Sequence, residues 1–328
     1  MTQTTLKLGF MPLCDSAPLV VAKERGFFAE HGLAVELSRE PSWSNIRDKL
    51  AYGFLHGVQM LATMPLSCGL GLGNIKAALV TPLGLSCGGN AITLGNGLLA
   101  AMGGQGTAQR LKQVLEDHPE PLALAIPYPF STHHYELRFW LAAGGIDPDR
   151  DVRLVVVPPP QMVAQLSAGN IAGFCVGEPW NSLAAHLELG RVVATAQDFP
   201  PDRIEKVLGL GLDWAESNPA AVRSLVSAVL AACRWADAPQ NRAELAEILS
   251  GPAYLNAPVE VVRAGLQGIR FSGDVPNCPA PMQAVWYLDQ MRRWNHLPRD
   301  IDTAEVAAKV FRPDLYRSIR SAANLPIF

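Results

Sequence analysis

Leu6, Leu8 and Phe10 alternate with Lys7 and Gly9, the period-two pattern of a half-buried strand. Asp15-Ser16-Ala17-Pro18 follows as a helix start, a capping side chain with proline tolerated in the first turn. That helix ends near Gly26 and a second short piece near Gly32, both in the left-handed cap position that glycine favours. Residues 34–37 form the next strand. Strand, helix, strand predicts a βαβ unit and hence a parallel pair in an α/β sheet.

The pattern repeats. Pro41-Ser42 caps a helix through Leu50, residues 59–62 lead into Pro65, and 77–80 and 90–94 read as strands. Gly95-Asn96-Gly97 is the expected first crossing between domains. Beyond it the pattern predicts an amphipathic helix over 107–116, a strand over 122–126 and a helix over 134–143 ending at Gly144-Gly145. Residues 152–157 are apolar apart from Arg153, as in a buried parallel strand. A helix over 161–167 and strands over 173–176 and 207–212 follow, after which helices dominate: 219–236, 241–250, 259–266, 282–294 and 303–309. The simplest topology is a lobe I made of residues 1–96 and 207–328, with lobe II, 97–206, inserted. Ligands of α/β proteins settle in the cleft between such lobes.

A length of 328 residues suits two domains, and 49% hydrophobic with 17% charged residues allows a large core. No run approaches the roughly 18 apolar residues of a membrane span. The net charge of −3 gives no reason to expect direct nucleic-acid contact, while leaving room for a local anion site. Six widely spaced cysteines form no CxxC pair, zinc motif or compact disulfide framework and read as free thiols. Seven scattered histidines, with no glycine-rich phosphate loop and no GxSxG, argue against an enzyme, a cofactor or a metal. The first residues run into the opening strand without the basic and apolar stretches of a secretory leader, so the reading is a reduced, cytoplasmic protein.

Several stretches together resemble one family. Residues 19–28 (LVVAKERGFF) and 32–37 (GLAVEL) resemble the opening of bilobal type II periplasmic-binding folds. Residues 42–48 (SWSNIRD), Thr132-His133, 142–148 (AAGGIDP), 157–163 (VPPPQMV) and 174–180 (FCVGEPW) resemble the nitrate and bicarbonate receptors of bacterial ABC transporters, the NrtA/CmpA family. The similarity runs in order along nearly the whole chain. A member without a leader resembles the NasS-type cytoplasmic nitrate/nitrite sensors of nitrate-assimilation operons. The resemblance implies nitrate or nitrite as ligand and, as partner, a NasT-like RNA-binding antiterminator that is released when the anion binds. The alternative is the solute-binding receptor of a nitrate or bicarbonate ABC transporter.

Nitrate is planar, singly charged and a weak acceptor, so its site needs convergent donors and about one positive charge in a partly dry cleft. Four residues fit by type and by the resemblance. Trp43 lies in the first turn after its cap, where the indole N–H can donate and the helix N-terminus favours an anion. Asn90 stands where the transport receptors have glutamine; His133 and Lys206 match the histidine and lysine of the nitrate site. Lys206 favours nitrate over bicarbonate, which calls for carboxylate and metal-assisted contacts. Around these four, Arg47 is expected to pair with a carboxylate, and Gln161 to face the cleft. Glu178 either orients Lys206 or His133 or is satisfied by backbone N–H groups. Asp15 reads as a helix cap. Trp286, Tyr287, Met291 and Trp294 make a stripe that fits either a partner face or the core of lobe I.

Overall fold

A computed structural model describes residues 5–118, 120–199 and 202–322. Residues 1–4, on which the leader expectation rests, lie outside the described residues. The chain first lays down β1 (Leu6–Phe10), β2 (Val35–Arg39), β3 (Gly57–Leu61) and β4 (Leu79–Gly88). It crosses to a second sheet for β5 (Asn90–Gly95), β6 (Leu122–Ile126), β7 (Val152–Val156), β8 (Gly173–Gly177) and β9 (Gly190–Thr195). It then returns with β10 (Ile204–Gly211) and the short β11 (Ile269–Arg270). The sheet orders are β11-β4-β10-β3-β1-β2 and β7-β6-β8-β5-β9, which makes a two-lobed α/β fold.

Local signals place the opening elements. β1 pairs in parallel with β2 and β3, the predicted βαβ arrangement. Gly26 and Gly32 take φ of +79° and +72°. Ser42 caps the helix Trp43–Ala51, its hydroxyl accepting from the Asn45 N–H at 3.2 Å. Apolar side chains of the helix Pro219–Asp237, such as Leu225, Val229 and Cys233, pack with Leu8, Phe10 and Leu208 into one core cluster.

Four expectations change. The sheet boundary falls at Gly88-Gly89 rather than at residue 97, because Asn90–Gly95 pairs with β8 and β9 of the second sheet. Both glycines have positive φ, +78° and +85°, and a Cβ on Gly88 would lie 2.3 Å from the Gly268 carbonyl, so only glycine fits this crossing. Gly95-Asn96-Gly97 instead leads into a helix, Asn96–Ala101. β10 begins at Ile204, which puts Lys206 inside a central strand of the first sheet, antiparallel to β3 and β4. β7 is an edge strand with Val156 54% exposed, not a fully buried one. The aromatic stripe divides: Tyr287 and Met291 are buried in a core cluster, and the Tyr287 hydroxyl donates to the Ile204 carbonyl.

Candidate functional site

The strand β10 carries the centre of the site. Ile204 faces Cys87 and Lys206 faces Ser86 on β4, so two steps along β10 match one on β4 and Glu205 is the bulged residue. A bulge re-aims side chains that a regular strand would send to opposite faces. Here Glu205 and Lys206 meet each other, Oε1 to Nζ at 3.0 Å, and both are buried. The same ammonium lies 2.9 Å from Asp15 Oδ2 and 5.9 Å from the centroid of the Trp43 ring.

Asp15 does not cap its helix. It sits in the 3-10 turn Cys14–Ser16 without a capping hydrogen bond, fully buried, and its Oδ1 accepts from Gln59 Nε2 at 2.5 Å. Gln59 is held in turn by the Met11 N–H, which donates to its Oε1 at 2.8 Å. Lobe II supplies His133 from the first turn of the helix Thr132–Ala143, capped by Ser131. His133 Nδ1 is 3.8 Å from Glu205 Oε1. Asn90 opposes Gly177 across the β5–β8 pair. A Cβ on Gly177 would point toward Asp15 Oδ2 at 3.5 Å and His133 Nε2 at 3.6 Å. Cross-strand partners share a face, so Asn90 projects on the same side. Its Nδ2 donates to Glu136 Oε2 at 3.0 Å, and Glu136 is paired with Arg203 at 2.5 Å. A carbonyl turned toward Glu136 would be repelled, which leaves Oδ1 as the atom without a partner.

The structure therefore brings Trp43, Asn90, His133 and Lys206 into one buried network between the lobes. Among the described residues, Trp43 Nε1, Asn90 Oδ1, Thr132 Oγ1 and both ring nitrogens of His133 are buried without a hydrogen-bond partner. Such atoms are rare in folded proteins, and a group of them on converging residues marks a place that receives polar atoms from elsewhere.

The outer three separate from this network. Arg47 binds Asp48 at 2.7 Å and reaches the Tyr128 hydroxyl at 3.3 Å, a contact between the lobes rather than with the site. Gln161 is exposed in the turn Pro159–Gln161, so it does not line the cleft. Glu178 accepts from the Ser182 N–H at 3.0 Å, the backbone-satisfied arrangement, and orients neither Lys206 nor His133.

Burial dominates the titration of this cluster. It pushes Asp15 and Glu205 above the usual carboxylate range, with Lys206 opposing in both cases. It raises Glu136 to about 7 against the pull of Arg203. Burial alone would lower Lys206, but Asp15 and Glu205 outweigh it and raise the lysine. His133 is held well below its ordinary value by burial first, then by Lys206 and Arg203, so it is neutral near pH 7. A cavity of about 420 Å³ has Glu136, Arg203 and Glu205 in its lining, so the acidic side of the network borders space open to solvent.

Sequence reasoning missed Asp15, Gln59, Glu136, Arg203 and Glu205. One signal was available: Glu205-Lys206 interrupts the apolar run of a core strand, and charged residues are buried there only when paired. Asp15 had none, since a capping aspartate and a buried one read alike.

Residues 1–250 match the NMT1-like family. The chain belongs to the NMT1-like family. It is 41% identical over 330 residues to the nitrate import ATP-binding protein NrtC of Synechocystis, covering 95% of this chain and 49% of that protein. Identity to the bicarbonate transport ATP-binding protein CmpC of Synechococcus elongatus is 38%, over 96% of this chain and 49% of that one. This NMT1-like chain thus spans about half the length of these relatives. The nitrate/nitrite binding protein NrtA of Synechocystis is 34% identical, over 98% of this chain and 77% of NrtA. The crystal structure of that periplasmic protein superposes with a TM-score of 0.93 at 32% identity, over 99% of this chain and 90% of NrtA. The fold is the bilobal α/β periplasmic-binding-protein fold.

Proposed function

We propose that this chain is a receptor module for nitrate or nitrite, holding the anion between its lobes in the service of an ABC importer. The observation that carries the reading is the convergence of the unpartnered Trp43 indole N–H and His133 ring nitrogens beside the Lys206 ammonium. A planar monoanion uses such donors and one nearby ammonium. The likeness to NrtA supports the ligand, and the ligand roles of Trp43, Asn90, His133 and Lys206 are part of the proposal. Relatives named for binding and import support a receptor in place of an enzyme.

An importer partner takes precedence over the NasT-like antiterminator expected above, because relatives at 41% and 34% identity are named as nitrate import or nitrate-binding proteins. The higher-identity relative is named an ATP-binding protein, and ATP drives import from the cytoplasmic side, which supports a cytoplasmic module. Among the described residues no helix is long and apolar enough to cross a membrane. Binding then closes the lobes only as far as the anion prefers the closed state.

Calorimetric titration with nitrate, nitrite, bicarbonate and sulfate tests the reading. Nitrate or nitrite gives heat, and Lys206→Ala and His133→Ala each weaken binding by about 1–3 kcal/mol, the cost of leaving a buried charged hydrogen bond unmade. Heat from bicarbonate alone would reassign the ligand; heat from none of the four would overturn the receptor reading.

A further inference from the structure

The buried network carries more negative than positive charge. Asp15 and Glu205 both lie on the Lys206 ammonium, at 2.9 and 3.0 Å, and Glu136 occupies Arg203. Three carboxylates therefore face two cations, all of them on residues at most 6% exposed. A monoanion added beside Lys206 meets two carboxylates already in place, and like charges in a low-dielectric site repel strongly.

His133 is placed to offset that charge. Lys206 and Glu205 face it from β10, Arg203 from just before that strand, and Asp15 from the turn Cys14–Ser16. Both of its ring nitrogens are buried without partners, Nδ1 toward Glu205 and Nε2 on the side where Gly177 leaves room. A neutral imidazole has one N–H; an imidazolium has two, one for Glu205 and one for a bound oxyanion.

We infer that this site takes its oxyanion together with one proton, which settles on His133. The inference rests on the receptor reading and adds a second ligand to it. The free imidazole carries no proton of its own, since burial, Lys206 and Arg203 keep it neutral; the added proton goes to the ring rather than to Glu136 or Glu205 because those carboxylates already hold Arg203 and Lys206, whereas both ring nitrogens stand without partners. The cavity that Glu136, Arg203 and Glu205 line puts solvent beside the acidic side of the network.

The test is titration with sodium nitrate near pH 8 in two chloride buffers of different ionisation enthalpy, HEPES and Tris. The dependence of the heat on the buffer gives the protons taken up, expected at about one per nitrate, and Kd rises about tenfold per pH unit from about pH 7 to 9. Glu205→Gln removes one carboxylate, so it binds nitrate with little proton uptake and a nearly flat pH profile. His133→Gln loses the uptake too, with folding checked by circular dichroism; if that variant does not fold, Glu205→Gln carries the test. Wild-type binding without proton uptake overturns the inference and leaves the receptor standing. Full uptake in either folded variant overturns it as well. No nitrate heat at any pH overturns the receptor reading itself.

Discussion

Lys206→Met takes the ammonium from between Asp15 and Glu205 and leaves two buried carboxylates facing an apolar side chain of similar length. Breaking a buried pair by removing one partner costs about 3–5 kcal/mol, far more than the 0–1 kcal/mol of a surface bridge. For 328 residues the unfolding entropy is about 0.7 kcal/mol/K, so the loss lowers Tm by about 4–7 °C. The effect depends on pH with a definite sign. Asp15 and Glu205 already titrate above the ordinary carboxylate range because of burial, and Lys206 is what pulls them down. Without it their folded-state values climb further above the unfolded ones, so the folded variant binds protons that the unfolded chain does not. The penalty is therefore full at high pH and shrinks as pH falls toward the ordinary carboxylate range near ~4. Thermal unfolding of wild type and variant at about pH 8 and 5.5 measures both terms, and adding Asp15→Asn to the variant recovers part of the loss. A loss below about 1 kcal/mol at both pH values would refute the reasoning, since it would mean that the three groups are solvated rather than paired in the interior.

Three further outcomes follow from the same geometry. Trp43→Phe removes the unpartnered indole N–H and leaves a smaller ring in a fully buried place, so nitrate binding weakens by about 0.5–1.5 kcal/mol and Tm falls as well; calorimetry and thermal scanning read the two effects. Gly177→Ala puts a Cβ at ordinary contact distance, 3.5 Å from Asp15 Oδ2 and 3.6 Å from His133 Nε2. The fold tolerates it, yet nitrate affinity drops by about 1 kcal/mol or more as the space beside His133 narrows. An unchanged Kd would place the anion elsewhere. Burial raises Glu178 from 4.5 to about 7, against the Ser182 N–H, so its charge costs stability increasingly from pH 4.5 upward and fully above about 7. Glu178→Gln is accordingly more stable than wild type at pH 8 and gains nothing near pH 4.5, as denaturant unfolding at the two pH values will register.

Much of the site was legible in the sequence, and unevenly so. The capped turn before Trp43 is a local feature and stands where the pattern put it, whereas the helix expected over 134–143 begins two residues earlier, at Thr132, behind the cap Ser131. Gln161 failed because an exposed turn and a cleft-facing one share the same proline-rich sequence. The crossing at Gly88-Gly89 was missed because Leu79–Gly88 is a long strand containing Pro82, and proline lowers a strand reading. Pro82 is accommodated where the β4–β10 register shifts between Val80 and Leu83.

The sequence by itself determined the βαβ opening, the Ser42 cap, the glycines at 26 and 32 with positive φ and the two-lobed class, and it singled out Trp43, His133 and Lys206 by residue type and family resemblance. The local features depend on a few neighbouring residues and so survive without knowledge of the partner strands. Only the tertiary structure decided what Lys206 meets. Asp15 lies 191 positions earlier in the chain, between residues 15 and 206, and touches the ammonium because β10 returns antiparallel beside β3. Glu205 turns to the same side only because its strand bulges against β4. Charge balance in a buried site is a sum over such distant encounters, and the proposed binding of an anion together with a proton rests on that sum.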